Sequence, residues 1–128
     1  MAANVSRPLS HPYRIALSMA LVAVTFLSTT PIDYHVISFD FVDKLEHLGA
    51  FLTLAFLVDF AFPASPWNRQ KFFLLLSYGL LLEIVQYFIP FRQFSLWDLT
   101  ADALGLLSYP LIIPLLKPLP WLAPRWTE

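Results

Sequence analysis

The stretch Asp43–Phe62, DKLEHLGAFLTLAFLVDFAF, places Asp43, Lys44, Glu46 and His47 within five residues and then turns apolar, with Asp59 its one later charge. As a helix it would extend about 30 Å, which is the thickness of a bilayer's hydrocarbon core. A membrane helix with its ionisable groups gathered at one end is therefore the reading to test against the rest of the chain.

The composition agrees. The 128 residues are 58% hydrophobic and 13% charged, with a mean hydropathy of +0.64. A soluble domain carries about a quarter charged residues. A formal net charge of −1 leaves no basic footprint for nucleic acid. Cysteine is absent, which excludes disulfides and thiolate metal sites. The length suits one domain over residues 1–128.

Three further apolar runs flank this stretch. Ile15 to Ile32 has one charge-free span, Phe72 to Pro90 is interrupted by Glu83 alone, and Leu99 to Leu116 contains only Asp102. Pro31 with Asp33, then Pro63-Ala-Ser-Pro66, then Pro90-Phe-Arg-Gln divide the runs, as prolines that lack an N–H and restrain their predecessors do. Ser65-Pro66 also reads as an N-cap followed by a first helical residue. The pattern predicts an all-α integral membrane bundle of four transmembrane helices over residues 14–32, 43–62, 68–90 and 97–116. Arg7 and Arg14 before the first run also suit a signal peptide. Its length and the poor cleavage match of Ser28-Thr29-Thr30-Pro31 favour a retained helix.

Lysine and arginine in short flanks set orientation. Arg7, Arg14, Arg69, Lys71, Lys117 and Arg125 fall on one side, and Lys44 and Arg92 on the other. Both termini are expected to be cytoplasmic. His47 and Asp102 then lie about 6 Å below the first carboxylate of their helices, and Glu83 about 10 Å below Pro90, all toward the outer face.

Each of three helices offers a polar face at i, i+4, i+7 spacing: Asp43, His47 and Ala50; Gly79, Glu83 and Gln86; Asp98, Asp102 and Gly105. Ala101 and Gly105 form a small-xxx-small pair suited to close helix contact. A charge at bilayer depth costs at least about 2.5 kcal/mol, so these groups are expected to face inward and pair. Several have simpler roles available. Asp43 favours a helix N-terminus, and Ser95-Leu-Trp-Asp98 resembles a capping box. Arg92 can bond the carbonyls ending the third span. Lys44 and Glu46 suit the interface, and Asp59 can reach the inner interface or pair with Arg69 or Lys71. For His47, Glu83, Gln86 and Asp102 the structural alternative is an interhelical clamp. At about 0.6 kcal/mol per bond, that is a small return for burying ionisable groups.

Asp43-Lys44-x-x-His47, Glu83-x-x-Gln86, Arg92, Ser95 and Asp98-x-x-x-Asp102-x-x-Gly105 together resemble the VanZ-like membrane family, over about residues 40–108. The resemblance implies a small multi-pass helical protein of the bacterial inner membrane and cell envelope. The family is named for a member linked to resistance to the glycopeptide teicoplanin, and it supplies no reaction. Position 102, usually Asn in the family pattern, is Asp here.

Three classes of function stay open. In the enzymatic one, His47 with Asp43, Glu83 or Asp98 serves as acid and base on a lipid head group or lipid-linked cell-wall intermediate. Lys44, Gln86, Arg92, Ser95, Asp102 and Gly105 then form the substrate-binding surroundings, with Arg92 suited to a phosphate or carboxylate. In the other, the same pocket binds or moves the head group, with an oligomer favoured because four helices are few for a carrier. A third, structural reading makes the cluster a lock or a docking point. No cofactor is assigned. His47, Glu83, Asp98 and Asp102 supply the nitrogen and oxygens that suit Zn²⁺, Mn²⁺ or Mg²⁺, and spacing across separate helices does not decide whether a metal binds.

Overall fold

A computed structural model describes residues 2–31 and 40–126, and the side chains of residues 10–31 and 42–126. It contains four helices, α1 (Ala2–Thr29), α2 (Asp40–Ala61), α3 (Arg69–Tyr87) and α4 (Leu96–Leu116), then a 3₁₀ turn at Ala123–Arg125. No strand occurs among the described residues. Successive helices run antiparallel. Gln86 late in α3 bonds Ser28 late in α1, and His47 early in α2 meets Asp102 early in α4. At the other end Arg14 donates to the carbonyl of Ala61. Helix α1, expected from residue 14, extends back through Pro12 and Pro8 to Ala2. Ile32 and Asp33, read as the end of the first span and its turn, lie outside the described residues.

Helix α2 is central and touches the other three. Phe51, Leu54, Ala55, Val58 and Ala61 on α2 pack with Leu75 of α3, Leu106 and Tyr109 of α4, and Leu17 of α1. The tightest approach is α4 on α2. A Cβ at Gly105 would collide with the backbone carbonyl of Leu48 and stand 3.0 Å from the amide nitrogen of Leu52. The small face at Ala101 and Gly105 thus lets one backbone rest on another.

The Ser65-Pro66 start expected for α3 is corrected. Asn68 is the N-cap, its side chain accepting from the Lys71 N–H at 3.0 Å. The Ser65 carbonyl instead accepts from Lys71 Nζ at 2.8 Å and from Arg125 Nη2 at 2.7 Å. Both cations converge on Asp59, which is 0% exposed. Lys71 Nζ lies 3.1 Å and Arg125 Nη2 2.7 Å from its Oδ1, while the Tyr109 hydroxyl donates to Oδ2 at 2.5 Å. The expected partner Lys71 is present. The second cation is Arg125 rather than Arg69, because the turn after α4 folds back under α2. This cluster joins α2, α3, α4 and the terminal turn at one end of the bundle.

Helix α3 ends at Tyr87, short of Pro90, where Phe88 and Ile89 donate to Val85 and Gln86 in a tightened last turn. Phe91 then takes a left-handed φ of 67°, which redirects the chain before Arg92.

Gly105→Ala should destabilise the bundle by about 1–3 kcal/mol, as overpacking does. Gly49→Ala, whose Cβ meets nothing within 4 Å, should be neutral or gain up to about 1 kcal/mol of helix propensity. Unfolding of both variants in detergent measures the contrast. Asp59→Asn leaves two cations without their carboxylate and should cost about 3–5 kcal/mol in the same assay.

Candidate functional site

The polar end opposite Asp59 is built from the starts of α2 and α4 and the end of α3. Ser95 is the α4 N-cap, its hydroxyl accepting from the Asp98 N–H at 3.2 Å. In a capping box the third helical residue would return a bond to the cap N–H. Here the Ser95 N–H donates to Glu83 Oε1 of α3 at 3.0 Å instead. Glu83, 1% exposed, thereby supplies the return bond from another helix, and the Asp98 carboxylate is free to face α2.

On α2, Lys44 Nζ lies 2.5 Å from Asp98 Oδ1 and 3.2 Å from Asp43 Oδ2. The remaining oxygens of those carboxylates turn to His47, with Asp98 Oδ2 3.6 Å and Asp43 Oδ1 4.0 Å from its Nε2. His47 Nδ1 sits 2.9 Å from Asp102 Oδ1. A carboxylate only accepts, so this contact places the proton on Nδ1. Asp102 is 1% exposed. Gly79 gives it room, since a Cβ there would stand 2.9 Å from Asp102 Oδ2. The one imidazole is therefore held between carboxylates on both nitrogens.

Beside it lies a cavity of about 150 Å³, lined by Asp43, Glu46, His47, Glu83, Gln86, Arg92 and Asp102, with Ala50, Phe51 and Leu82 as apolar wall. Helix α1 closes it with Val24, Leu27 and Ser28. That contribution was not apparent in the sequence, where the polar Ser28-Thr29-Thr30 was the only signal. Gln86 Nε2 donates to the Ser28 carbonyl at 3.0 Å. Gln86 Oε1 is buried without a hydrogen-bond partner among the described residues. Arg92 donates from Nε to the Thr30 carbonyl at 3.1 Å and from Nη2 to the Leu27 carbonyl. It binds carbonyls ending α1, not those ending α3 as the sequence suggested, because the left-handed Phe91 swings it across the bundle.

Asp43, His47, Glu83, Gln86, Arg92 and Asp102 thus share one cavity. Lys44, Ser95 and Asp98 stand behind it as supports, and Gly105 lies away from it against Leu48. Lys44 bridges α2 and α4 through Asp43 and Asp98. Glu46 is exposed on the cavity's rim.

The split capping box makes a specific prediction. Glu83→Ala strands the Ser95 N–H and should cost about 1–3 kcal/mol, with faster amide exchange in the first turn of α4. Glu83→Gln keeps an acceptor oxygen and should retain most of that protection.

Comparison of this chain with protein-family models, with curated proteins and with solved structures found no match in any of the three.

Proposed function

We propose that this chain is a multi-pass protein of the bacterial cytoplasmic membrane, akin to the VanZ-like family, whose cavity at the His47 end opens outward and takes the polar head group of a lipid or lipid-linked cell-wall intermediate. Two helices, Ser10–Thr29 and Leu96–Leu116, are long and apolar enough to cross a membrane. Buried helices of soluble proteins and signal sequences meet the same criterion. Here, however, Ile15, Met19, Val22 and Phe26 on α1 and Leu107, Leu111 and Leu115 on α4 are exposed, while Asp59, Glu83 and Asp102 are buried. That inversion suits a lipid surround.

Hydroxyl geometry supports the same reading. Ser18, Thr29, Thr53, Thr100 and Ser108 each donate to the carbonyl four residues earlier in their own helix. Such bonds satisfy a hydroxyl without water. The four-span topology, with the Arg92 loop outside and both termini inside, follows from the lysine and arginine distribution.

The observation that carries the functional reading is the convergence of ionisable groups from three helices on one small cavity. An intramembrane ionisable group marks function by default, and four carboxylates exceed what a clamp requires. At about 150 Å³ the space suits part of a head group, since sites for whole drug-sized ligands occupy roughly 300–1,000 Å³. An effect on glycopeptide sensitivity would follow if the bound group belongs to the cell-wall pathway. Arg92 and Gln86 also support a structural reading, because both hold the end of α1.

Purified protein in nanodiscs, incubated with labelled cell-envelope lipids, tests the proposal. Wild type should retain or convert a head-group-bearing lipid, and His47→Ala should lose this at unchanged folded yield. Converted lipid identifies an enzyme, and stoichiometric retention identifies a binder. Equal behaviour of the two proteins would reduce the cavity to a packing feature.

A further inference from the structure

His47 presents two nitrogens in different settings. Nδ1 is committed to Asp102 at 2.9 Å. Carboxylate oxygens approach Nε2 from both helices of the α2–α4 seam, Asp98 Oδ2 of α4 at 3.6 Å and Asp43 Oδ1 of α2 at 4.0 Å. Lys44 holds the other oxygen of each carboxylate, at 2.5 Å and 3.2 Å. It fixes both groups so that their inner oxygens converge on one imidazole nitrogen. Two carboxylate oxygens aimed at one imidazole nitrogen leave a place for a cation between them, a proton on Nε2 or a metal ion in its stead.

We propose that His47 Nε2, Asp43 Oδ1 and Asp98 Oδ2 bind a divalent transition-metal ion of the zinc type, with its open coordination position toward the cavity. The three residues can bring ligand atoms within 4.8 Å of one another. Around a tetrahedral ion with bonds of about 2.0–2.2 Å, ligand atoms stand about 3.4 Å apart. The observed separations need only a small inward movement. One imidazole and two carboxylates suit a borderline ion better than Mg²⁺, which prefers oxygen alone. Asp102 on Nδ1 supplies the outer-shell carboxylate that normally orients a metal-bound histidine.

A neighbouring combination, His47 with Glu83 and Asp102, has ligand atoms equally close. It is the weaker arrangement, because Asp102 already occupies Nδ1 and Glu83 Oε1 already accepts the Ser95 N–H. The carboxylates of Asp43, Asp98 and Asp102 gather around this one imidazole, a setting that favours a cation. Independently, Gln86 Oε1 has no hydrogen-bond partner among the described residues, on a side chain only 4% exposed that lines the same cavity as Asp43 and His47. Such an atom can take a donor that enters the cavity, such as a metal-bound water or a ligand hydroxyl.

The inference rests on the pocket reading only in that the ion's open position faces the same cavity, where it would take an oxygen of the head group. Tag-free full-length protein in nanodiscs, stripped with EDTA and titrated with Co²⁺ and then Zn²⁺, provides the test. About one Co²⁺ per chain should bind, give a visible ligand-field spectrum and be displaced by Zn²⁺. His47→Gln and Asp98→Asn should each weaken binding at least about 100-fold. Absence of saturable binding, or unchanged affinity in both variants, overturns the site. Should the variants fail to fold, X-ray absorption of the Zn²⁺-loaded wild type decides, and a coordination shell without an imidazole nitrogen overturns it. Lipid retention measured with and without the ion separates the two proposals. Retention in stripped protein that binds no metal sinks the ion site alone, and metal binding without retention sinks the head-group reading alone.

Discussion

Contact between α4 and α2 at Gly105 determines where the polar groups shared by those two helices end up. Without a Cβ at that position the α4 backbone settles on the Leu48 carbonyl, and the two helices run side by side in register. Toward the start of both helices this proximity brings Asp98 and Asp102 within reach of Lys44 and His47. Toward their ends it brings the Tyr109 hydroxyl onto Asp59. A wider separation would take Asp98 and Asp102 away from Lys44 and His47, and the Tyr109 hydroxyl away from Asp59.

Around that seam the ends of helices are completed by other helices as well as by their own neighbours in sequence. Glu83 of α3 accepts the cap N–H of α4, and Gln86 and Arg92 occupy carbonyls at the end of α1. Lys71 and Arg125 do the same for the end of α2 and the turn that follows it. Free helix ends need partners where water is scarce, and these long side chains supply them. Capping and site-building therefore draw on the same residues.

Helical periodicity is a local property, and it was legible. The all-α class, the four helices and the inward convergence of the Asp43, Glu83 and Asp98 faces all follow from spacing along single segments. The cap at Asn68 was missed because the Ser65 carbonyl is claimed by Arg125, sixty residues away. The destination of Arg92 was misread because it depends on the backbone of Phe91. The backward extension of α1 crossed two prolines that sequence rules treat as punctuation. The miss at Ser65 involves a partner that only the tertiary arrangement supplies. His47 with Asp102 was nearest to being readable, since both sit at matching heights on helices that run the same way.

Asp59 lies twelve positions after His47 on α2, about 18 Å along the helix. Phe51, Leu54, Ala55 and Val58, with Leu75 and Leu106, plug that interval. The recess therefore has a floor. Whatever enters beside His47 leaves by the same mouth, and the ion pairs at the far end are insulated from it by a dry partition. A single copy of this fold is a cup and not a conduit, so passage from one end of the bundle to the other would require the plug itself to part.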